Sequence, residues 1–473
     1  MTLGFLAAKR ARVGALALLF APVLLSAPTF GQQPSADAPQ SVADAPATVP
    51  PARPSAEAAA PQNIDLPTVL RLAGMNDLDL ALVREAQRRA KAENDSATLR
   101  FFPWLSAGTS YAKETGAAQQ VGGQVISVDQ RLYEHSVSAN VEVDLGNAIF
   151  QKLAARQRLK AAGYDIEASR NDTALAAADA YFDLVDALTL VDIAQEAVRI
   201  SQDYEGELNR AYQAGLTNRS EALRVGVQTQ RERVAERRAQ AAVLSFSAVL
   251  ATLLRLDPVI ELAPTDRLVT PPTLVQVDTP LQVLVKEALE DRPEVSASKA
   301  NISAADRDRI AAKYGPLIPS LRGQALYGRL RGGADGALSD YMATHDYVVG
   351  LSWRLGPGGL FDFSRTEAAN SALQTEKLTG ERLHDDIAQE VVQAYTAARA
   401  GLDQIGLARR AVDLAAQSLK LSMDRRQFGV YGVLEVIQAQ QDLTQARADY
   451  AQALTQYAKA QYALAHATAR IGG

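Results

Sequence analysis

The 473-residue sequence contains no cysteine. That excludes disulfide staples, thiolate metal sites, a cysteine nucleophile and an N-terminal lipid-bearing cysteine. Histidine is nearly as scarce. His135, His345, His384 and His466 stand far apart, none with a partner at metal-ligand spacing, and no Ser/His/Asp arrangement, phosphate loop or dinucleotide fingerprint is present. No enzyme, metal or cofactor is expected. An excess of basic residues is also missing: 49 Lys and Arg against 54 Asp and Glu give a net charge of -5. A chain of that balance makes a poor nucleic-acid partner. Long apolar runs are absent apart from Val13 to Leu25, which is too short to cross a bilayer as a helix. With Lys9, Arg10 and Arg12 before that run and Ser26, Ala27 and Gly31 after it, residues 1–31 read as a secretory signal peptide. Residues 32–63 are rich in alanine and proline with few large apolar side chains, the composition of a disordered arm.

What the sequence does have is apolar residues laid out in stripes. Val436, Leu443, Tyr450, Tyr457 and Leu464 recur at heptad spacing, interleaved with Ala439, Ala446, Ala453, Ala460 and Ala467. This is a coiled-coil seam with one large line and one small line, and its strict period imposes a left-handed supercoil. The preceding stretch answers it with Val391, Tyr395, Ala398, Leu402, Ile405, Val412, Ala416, Leu419 and Met423. From Asp385 to Phe428 that helix would run about 65 Å at 1.5 Å per residue, which makes the pair a rod with a turn at Gly429. A similar pair spans Gln151 to Tyr212 and Ser220 to Leu256, turning at Gly215. Its seam reads Ala177, Tyr181, Leu184, Leu188, Val191 and Val198 against Ala235, Ala239, Ala242, Phe246, Val249, Leu253 and Leu256.

Ahead of each pair the period changes from helical to alternating. Val137, Ala139, Val141, Val143 and Leu145 face one way, with Ser138, Asn140, Glu142 and Asp144 on the other side. Tyr347, Val349, Leu351, Trp353 and Leu355 do the same later on. Strands are expected at about 104–112, 136–146, 320–330 and 345–355, with polar, Gly-containing loops after the first and third. The Asp335 to Asp340 loop has too few spaced oxygen ligands for calcium. Trp104, Tyr111, Tyr133, Tyr327, Tyr341 and Trp353 lie near strand ends, as interfacial aromatics do. Pro103-Trp104-Leu105 corresponds to Pro319-Ser320-Leu321, Leu145-Gly146 to Leu355-Gly356, and Gly215 with Glu221 to Gly429 with Glu435. One unit therefore occurs twice, as residues 64–256 and 281–473 joined by a connector at 257–280, with helical tips at 213–219 and 427–433.

The expected fold class is an internally duplicated α+β membrane protein. Its four strands per chain contribute to a barrel, because open edges are not tolerated in lipid and closure then needs several copies. Two copies would give eight strands and a filled interior, whereas three give twelve and an open lumen. In this order of elements, in the Gly followed six residues later by an acid at each turn, and in Leu355-Gly356-Pro357-Gly358-Gly359-Leu360-Phe361-Asp362 after a strand, the chain resembles the TolC-like outer-membrane efflux proteins from Ile64 to Ile471. The resemblance implies a homotrimer with a twelve-stranded barrel in the outer membrane and a periplasmic tunnel of antiparallel coiled-coil helices. It also implies a passive exit channel for efflux or type I secretion, working with a periplasmic adaptor protein and an inner-membrane pump of RND or ABC type. Carried over residue by residue, the tip turns Gly215, Leu216 and Thr217, and Gly429 and Val430, would dock the adaptor. Glu221 and Glu435 would line the pore constriction, where carboxylates favour cations. Gln438 stands where some members have a second acid and Tyr431 where some have an arginine, so Tyr431 is expected to hydrogen-bond Glu221 across the tip. The rival from another class is a soluble periplasmic coiled-coil adaptor or scaffold, which has no need of duplicated strand pairs.

Overall fold

The computed structural model describes residues 62–265, 272–334, 338–427 and 432–471. The expected signal peptide, nearly all of the arm, and Gly429, Val430 and Tyr431 lie outside the described residues. The order of elements is stated twice. The first unit runs β1 (Gln62–Ile64), α1 (Leu66–Asn76), α2 (Leu78–Leu99), β2 (Trp104–Gln119), β3 (Val125–Asp144), α3 (Leu145–Gln213) and α4 (Arg219–Leu253). The second repeats it as β4 (Leu262–Pro264), α5 (Leu281–Asp291), α6 (Pro293–Tyr314), β5 (Ser320–Ala334), β6 (Met342–Ser352), α7 (Phe363–Gln427) and α8 (Val433–Ala467). The two short strands that open the units, β1 and β4, pair in parallel with each other.

The helices begin where the sequence supplies caps. The side chains of Asp65 and Asp77 accept from the backbone N–H groups of Thr68 and Leu80 at 3.2 and 2.9 Å, each worth about 1 kcal/mol. Asp144 does the same for Asn147 at 3.2 Å, so β3 passes into α3 without a loop. Helix α3 has 69 residues and α7 has 65, whereas α4 and α8 have 35 each. At 1.5 Å per residue the long helices reach about 100 Å and their partners about 50 Å. Each long helix pairs with a shorter one in its C-terminal half, and α6 lies against both α3 and α7 higher up. Where α3 leaves the sheet, a Cβ on Gly146 would lie 2.1 Å from the Gly315 carbonyl oxygen, so only glycine permits this crossing.

In α8 the seam is buried as its spacing requires, with Val436 and Leu464 fully enclosed; burying such a side chain is worth about 2 kcal/mol. Two parts of the expected packing differ. On α7, Leu402 is 46% exposed, and Gly401 takes the seam position, its Cα facing Tyr457 so closely that an added Cβ would sit 3.3 Å from that ring's Cβ. On α4 the buried face is Val225, Thr229, Glu232, Val243, Ser247, Leu250 and Leu254, whereas Phe246 and Val249 point outward. The true face carries polar residues because each finds a partner. Ser247 Oγ accepts from the Leu262 N–H at 2.7 Å, and Thr229 and Ser201 hydroxyls meet at 3.1 Å.

The strands β2, β3, β5 and β6 form one antiparallel sheet in the order β2-β3-β5-β6, leaving β2 and β6 as open edges. The strands run well past the expected ends: β2 and β3 meet at a hairpin closed by the Gln120 N–H on the Gln124 carbonyl at 2.8 Å. Beyond the alternating stretch apolar and polar residues mix on both faces, as Val125, Ile126, Val128 and Leu132 do on β3, so the alternation ends while the hydrogen-bond ladder continues. At the other end β6 stops at Ser352, because Gly356 and Gly358 turn the chain with φ of 98° and 75°.

Candidate functional site

The register fixes which side chains share a face of the sheet. Leu105, Ala107, Val137, Ala139, Ala325, Tyr327, Tyr347 and Val349 stand on one side. Ser106, Ser138, Asn140, Glu142, Arg322, Gln324 and Thr344 stand on the other. The apolar face is exposed, with Tyr347 at 78% and Val349 at 82%; on the polar face Glu142 and Arg322 are exposed as well, while Ser138 is 9% exposed. The polar face ties itself together: Ser106 and Ser138 hydroxyls meet at 2.7 Å, Asn140 Nδ2 donates to Ser138 Oγ at 2.9 Å, and Arg322 Nη2 donates to Glu142 Oε1 at 2.9 Å. The rings of Tyr111 and Tyr133 stack at 4.9 Å at the upper margin of the apolar face. Trp104 pairs with Asn140 and belongs to the polar face, so it is not one of that girdle. A sheet with apolar residues outward and polar residues inward is the reverse of a water-soluble sheet and the pattern of a membrane barrel wall. Among the described residues no helix is long and apolar enough to span a membrane.

At the far end, the α3–α4 turn is built by Gly215 at φ 74°, with the Leu216 N–H on the Ala211 carbonyl at 2.9 Å, a left-handed helix ending. Leu216 is exposed, and the Thr217 hydroxyl donates to the Glu221 carboxylate in the first turn of α4. Glu435 occupies the first turn of α8, exposed and folded back over Gly432. Gln438 Nε2 donates to Asp442 Oδ1 at 2.9 Å, along its own helix. One apolar cluster of Leu208, Ala222, Val225, Leu419, Val433 and Val436 joins the two tips, so Glu221 and Glu435 flank a shared core.

Sequence reasoning treated His466 as an isolated residue. In the folded chain it is the centre of a buried charge network linking α3, α6, α7 and α8. His466 Nε2 lies 2.8 Å from Asp172 Oδ1 and Nδ1 lies 3.0 Å from Glu390 Oε1, with the side chain 6% exposed. Arg292 Nη1 donates to Glu390 at 2.5 Å and Nη2 to Glu294 at 2.7 Å. Burial opposes the charged imidazolium, but the hydrogen bonds to Asp172 and Glu390 outweigh it and raise the His466 pKa to about 9. Burial likewise works against the Glu390 carboxylate, yet His466 and Arg292 pull its pKa down to about 2. Asp172, Glu294 and His466 are close enough to share a cation. The guanidinium of Arg292 already holds Glu294 and the imidazolium offers no lone pair, so the residues fit an ion-pair network and not a metal.

A second polar layer joins α3 to α8. Lys459 Nζ lies 2.5 Å from Asp183 Oδ1, and Thr455 Oγ1 donates to Asp186 Oδ1 at 3.3 Å. Burial raises the pKa of Asp179 and of Asp186.

An inside-out sheet carried on two helical hairpins of such length defines a class of membrane channel in which a barrel wall continues into a helical tube. The sequence profile described as outer membrane efflux protein matches residues 284–470. The chain superposes on the structure described as a membrane protein from Pseudomonas aeruginosa with a TM-score of 0.74 at 18% identity, covering 85% of this chain and 93% of that one. The outer-membrane channel OprN gives 0.73 at 19% identity, covering 85% and 89%. The Campylobacter jejuni CmeC outer membrane channel gives 0.73 at 17% identity, covering 85% of each. No curated protein sequence matches the chain. The chain thus shares the fold of these outer-membrane channels along most of its length, and over the second repeat its sequence is similar to the outer membrane efflux proteins. Two of the structures it superposes on are described as outer-membrane channels.

Proposed function

We propose that this protein is the outer-membrane exit duct of a tripartite efflux or type I secretion assembly. Three copies would join β6 of one chain to β2 of the next, closing a twelve-stranded barrel with the polar face inward and an open lumen. The observation that carries this reading is the combination of an exposed apolar sheet face with two unpaired strand edges, because only closure within lipid satisfies both. The exposed leucines at heptad spacing on α7, Leu407, Leu414 and Leu421, support the same assembly lower down. They form an unpartnered stripe of the kind α4 of a neighbouring copy would cover through Val227 and Val234.

In this reading the tips face the periplasm. Gly215, Leu216 and Thr217, with Gly429 and Val430, dock the adaptor that connects to an RND or ABC pump. Glu221 and Glu435 give six carboxylates around the constriction, with Gln438 beyond them and Tyr431 in place of a charged lock. Cargo passes without chemistry. The test is migration of outer-membrane extract on a denaturing gel, before and after boiling, with crosslinking by cysteines introduced at the two sheet edges of the cysteine-free chain. A crosslinked species near three times the monomer mass that dissociates on heating is expected. Recovery of a soluble periplasmic monomer or dimer would overturn the reading.

A further inference from the structure

The outward face of the sheet changes character above its apolar band. On β3 that band ends upward at Val137, and the next outward positions are His135, Tyr133 and Arg131. Lys113, Arg131, Arg329 and Arg331 all stand on this face by register, with His135 between them. Only Lys113 has an acidic partner there, Asp129 at 3.6 Å; among the described residues no carboxylate pairs with Arg131, Arg329 or Arg331. At the same height the opposite face carries Glu114 and Glu134. The charge is therefore sorted by face, with the basic side outward.

Where the two zones meet is a depression of about 740 Å³ whose lower wall is Ala107, Val137 and Tyr327 and whose upper wall is His135, Arg329 and Tyr341. Its upper wall is held in place by hydrogen bonds: the His135 ring bonds Thr109 Oγ1 at 2.8 Å and the Tyr341 hydroxyl at 3.2 Å. The Arg331 guanidinium lies 5.7 Å from the centroid of the Tyr341 ring, and its Nε is buried without a hydrogen-bond acceptor. Arg329 lines the depression and Arg331 adjoins it through the Tyr341 ring, so a basic margin with no carboxylate partner among the described residues stands over an apolar floor, which asks for an anionic oxygen attached to a hydrocarbon.

We propose that this depression binds a phosphorylated, acylated lipid of the outer leaflet, its phosphate on Arg329 and Arg331 and its acyl chain along Val137 and Tyr327. The inference rests on the outer-membrane barrel reading above. The site sits on the outward faces of β2, β3 and β5, and pairing through strand edges leaves a sheet face uncovered. Attraction of basic side chains to anionic headgroups supplies the orientation, and the apolar floor supplies selectivity for a lipid over a free anion.

The test uses detergent-purified protein and lipid A, with its dephosphorylated form and inorganic phosphate as comparison probes. Binding is read by native mass spectrometry of the intact oligomer. Wild type should bind lipid A, and the double variant R329Q/R331Q should bind it at least ~100-fold more weakly, about tenfold for each charged hydrogen bond lost. Removal of the lipid's phosphates should cost wild type a similar factor, and the inward-facing R322Q should bind as wild type does. Equal lipid A binding by wild type and R329Q/R331Q, or displacement of the lipid by millimolar inorganic phosphate, would overturn the site. Either result with the heat-dissociable oligomer intact removes the lipid site alone. Absence of that oligomer in wild type removes the barrel reading and the site together.

Discussion

Replacing His466 by glutamine should weaken the assembly in a way that depends on pH. The imidazolium is raised from 6.5 to about 9 by Asp172 and Glu390 across a nearly solvent-free side chain. That difference corresponds to about 3 kcal/mol of preference for the charged form in the folded state, with Asp172, itself 65% exposed, contributing the smaller share. Because the folded value lies above the unfolded one, the stabilisation is present in full below pH 6.5 and disappears as pH rises through about 9. Glu390 acts on the acid side only: its pKa is held down to about 2, so its contribution stands above 4.5 and is lost toward pH 2. Taking ~2.1 cal/mol/K of unfolding entropy per residue over about 400 ordered residues, a loss of 3 kcal/mol lowers the thermal midpoint by roughly 3–4 °C. Circular dichroism melts of the detergent-solubilised protein from pH 6 to 10 would read this directly. Wild type should lose stability between pH 6.5 and 9 and meet the curve of His466→Gln near the alkaline end. Two parallel curves across that range would refute the assigned role of the imidazolium.

Other outcomes follow from single positions. Gly146→Ala places a Cβ against the Gly315 backbone and should abolish the heat-dissociable oligomer, whereas Gly206→Ala, which meets no neighbour, should leave it intact on the same gel. Gly215→Ala meets no neighbouring atom but puts alanine at φ 74°, so it should cost about 1 kcal/mol and accelerate protease cleavage at the α3–α4 turn without preventing assembly. Substituting Glu221 and Glu435 together by glutamine should lower the cation-over-anion permeability ratio in planar bilayers, and an unchanged reversal potential in a salt gradient would remove both from the constriction. Asp186→Asn keeps an acceptor for Thr455 while removing a buried carboxylate whose pKa is raised; a higher melting temperature at pH 8 is expected.

The sequence made some of these features legible and disguised others for definite reasons. The α8 heptads were readable because every seam position is Val, Leu, Tyr or Ala, and the structure buries all of them but the half-buried Tyr450. The α4 face was not, since its contact surface includes Thr229, Glu232 and Ser247, and the more apolar line through Phe246 and Val249 attracted the seam assignment. Helix α7 begins at Phe363, ahead of the first heptad residue, because its upper half packs on α6 through small residues such as Gly380 and leaves no periodic mark. Strand alternation identified the correct pairs of faces on β3 and β6, but not which face is covered. That depends on the solvent around the sheet, which hydropathy alone does not state. His466 was missed because its partners lie 76 and 294 residues away in the chain.

The reversal of the sheet divides the folding of this chain between two solvents. The hairpins bury their apolar seams against each other and can settle in water as soon as α3 through α8 are made. The strands cannot, since Tyr347 and Val349 gain nothing from the neighbours a lone chain offers. In the proposed channel, a newly made monomer would therefore have finished rods attached to a sheet that is sticky on one side and open along two edges. Its lifetime in that form is governed by how quickly other copies and lipid arrive, so a holdase that covers the sheet, and not one that unfolds the helices, is the kind of assistance its assembly calls for.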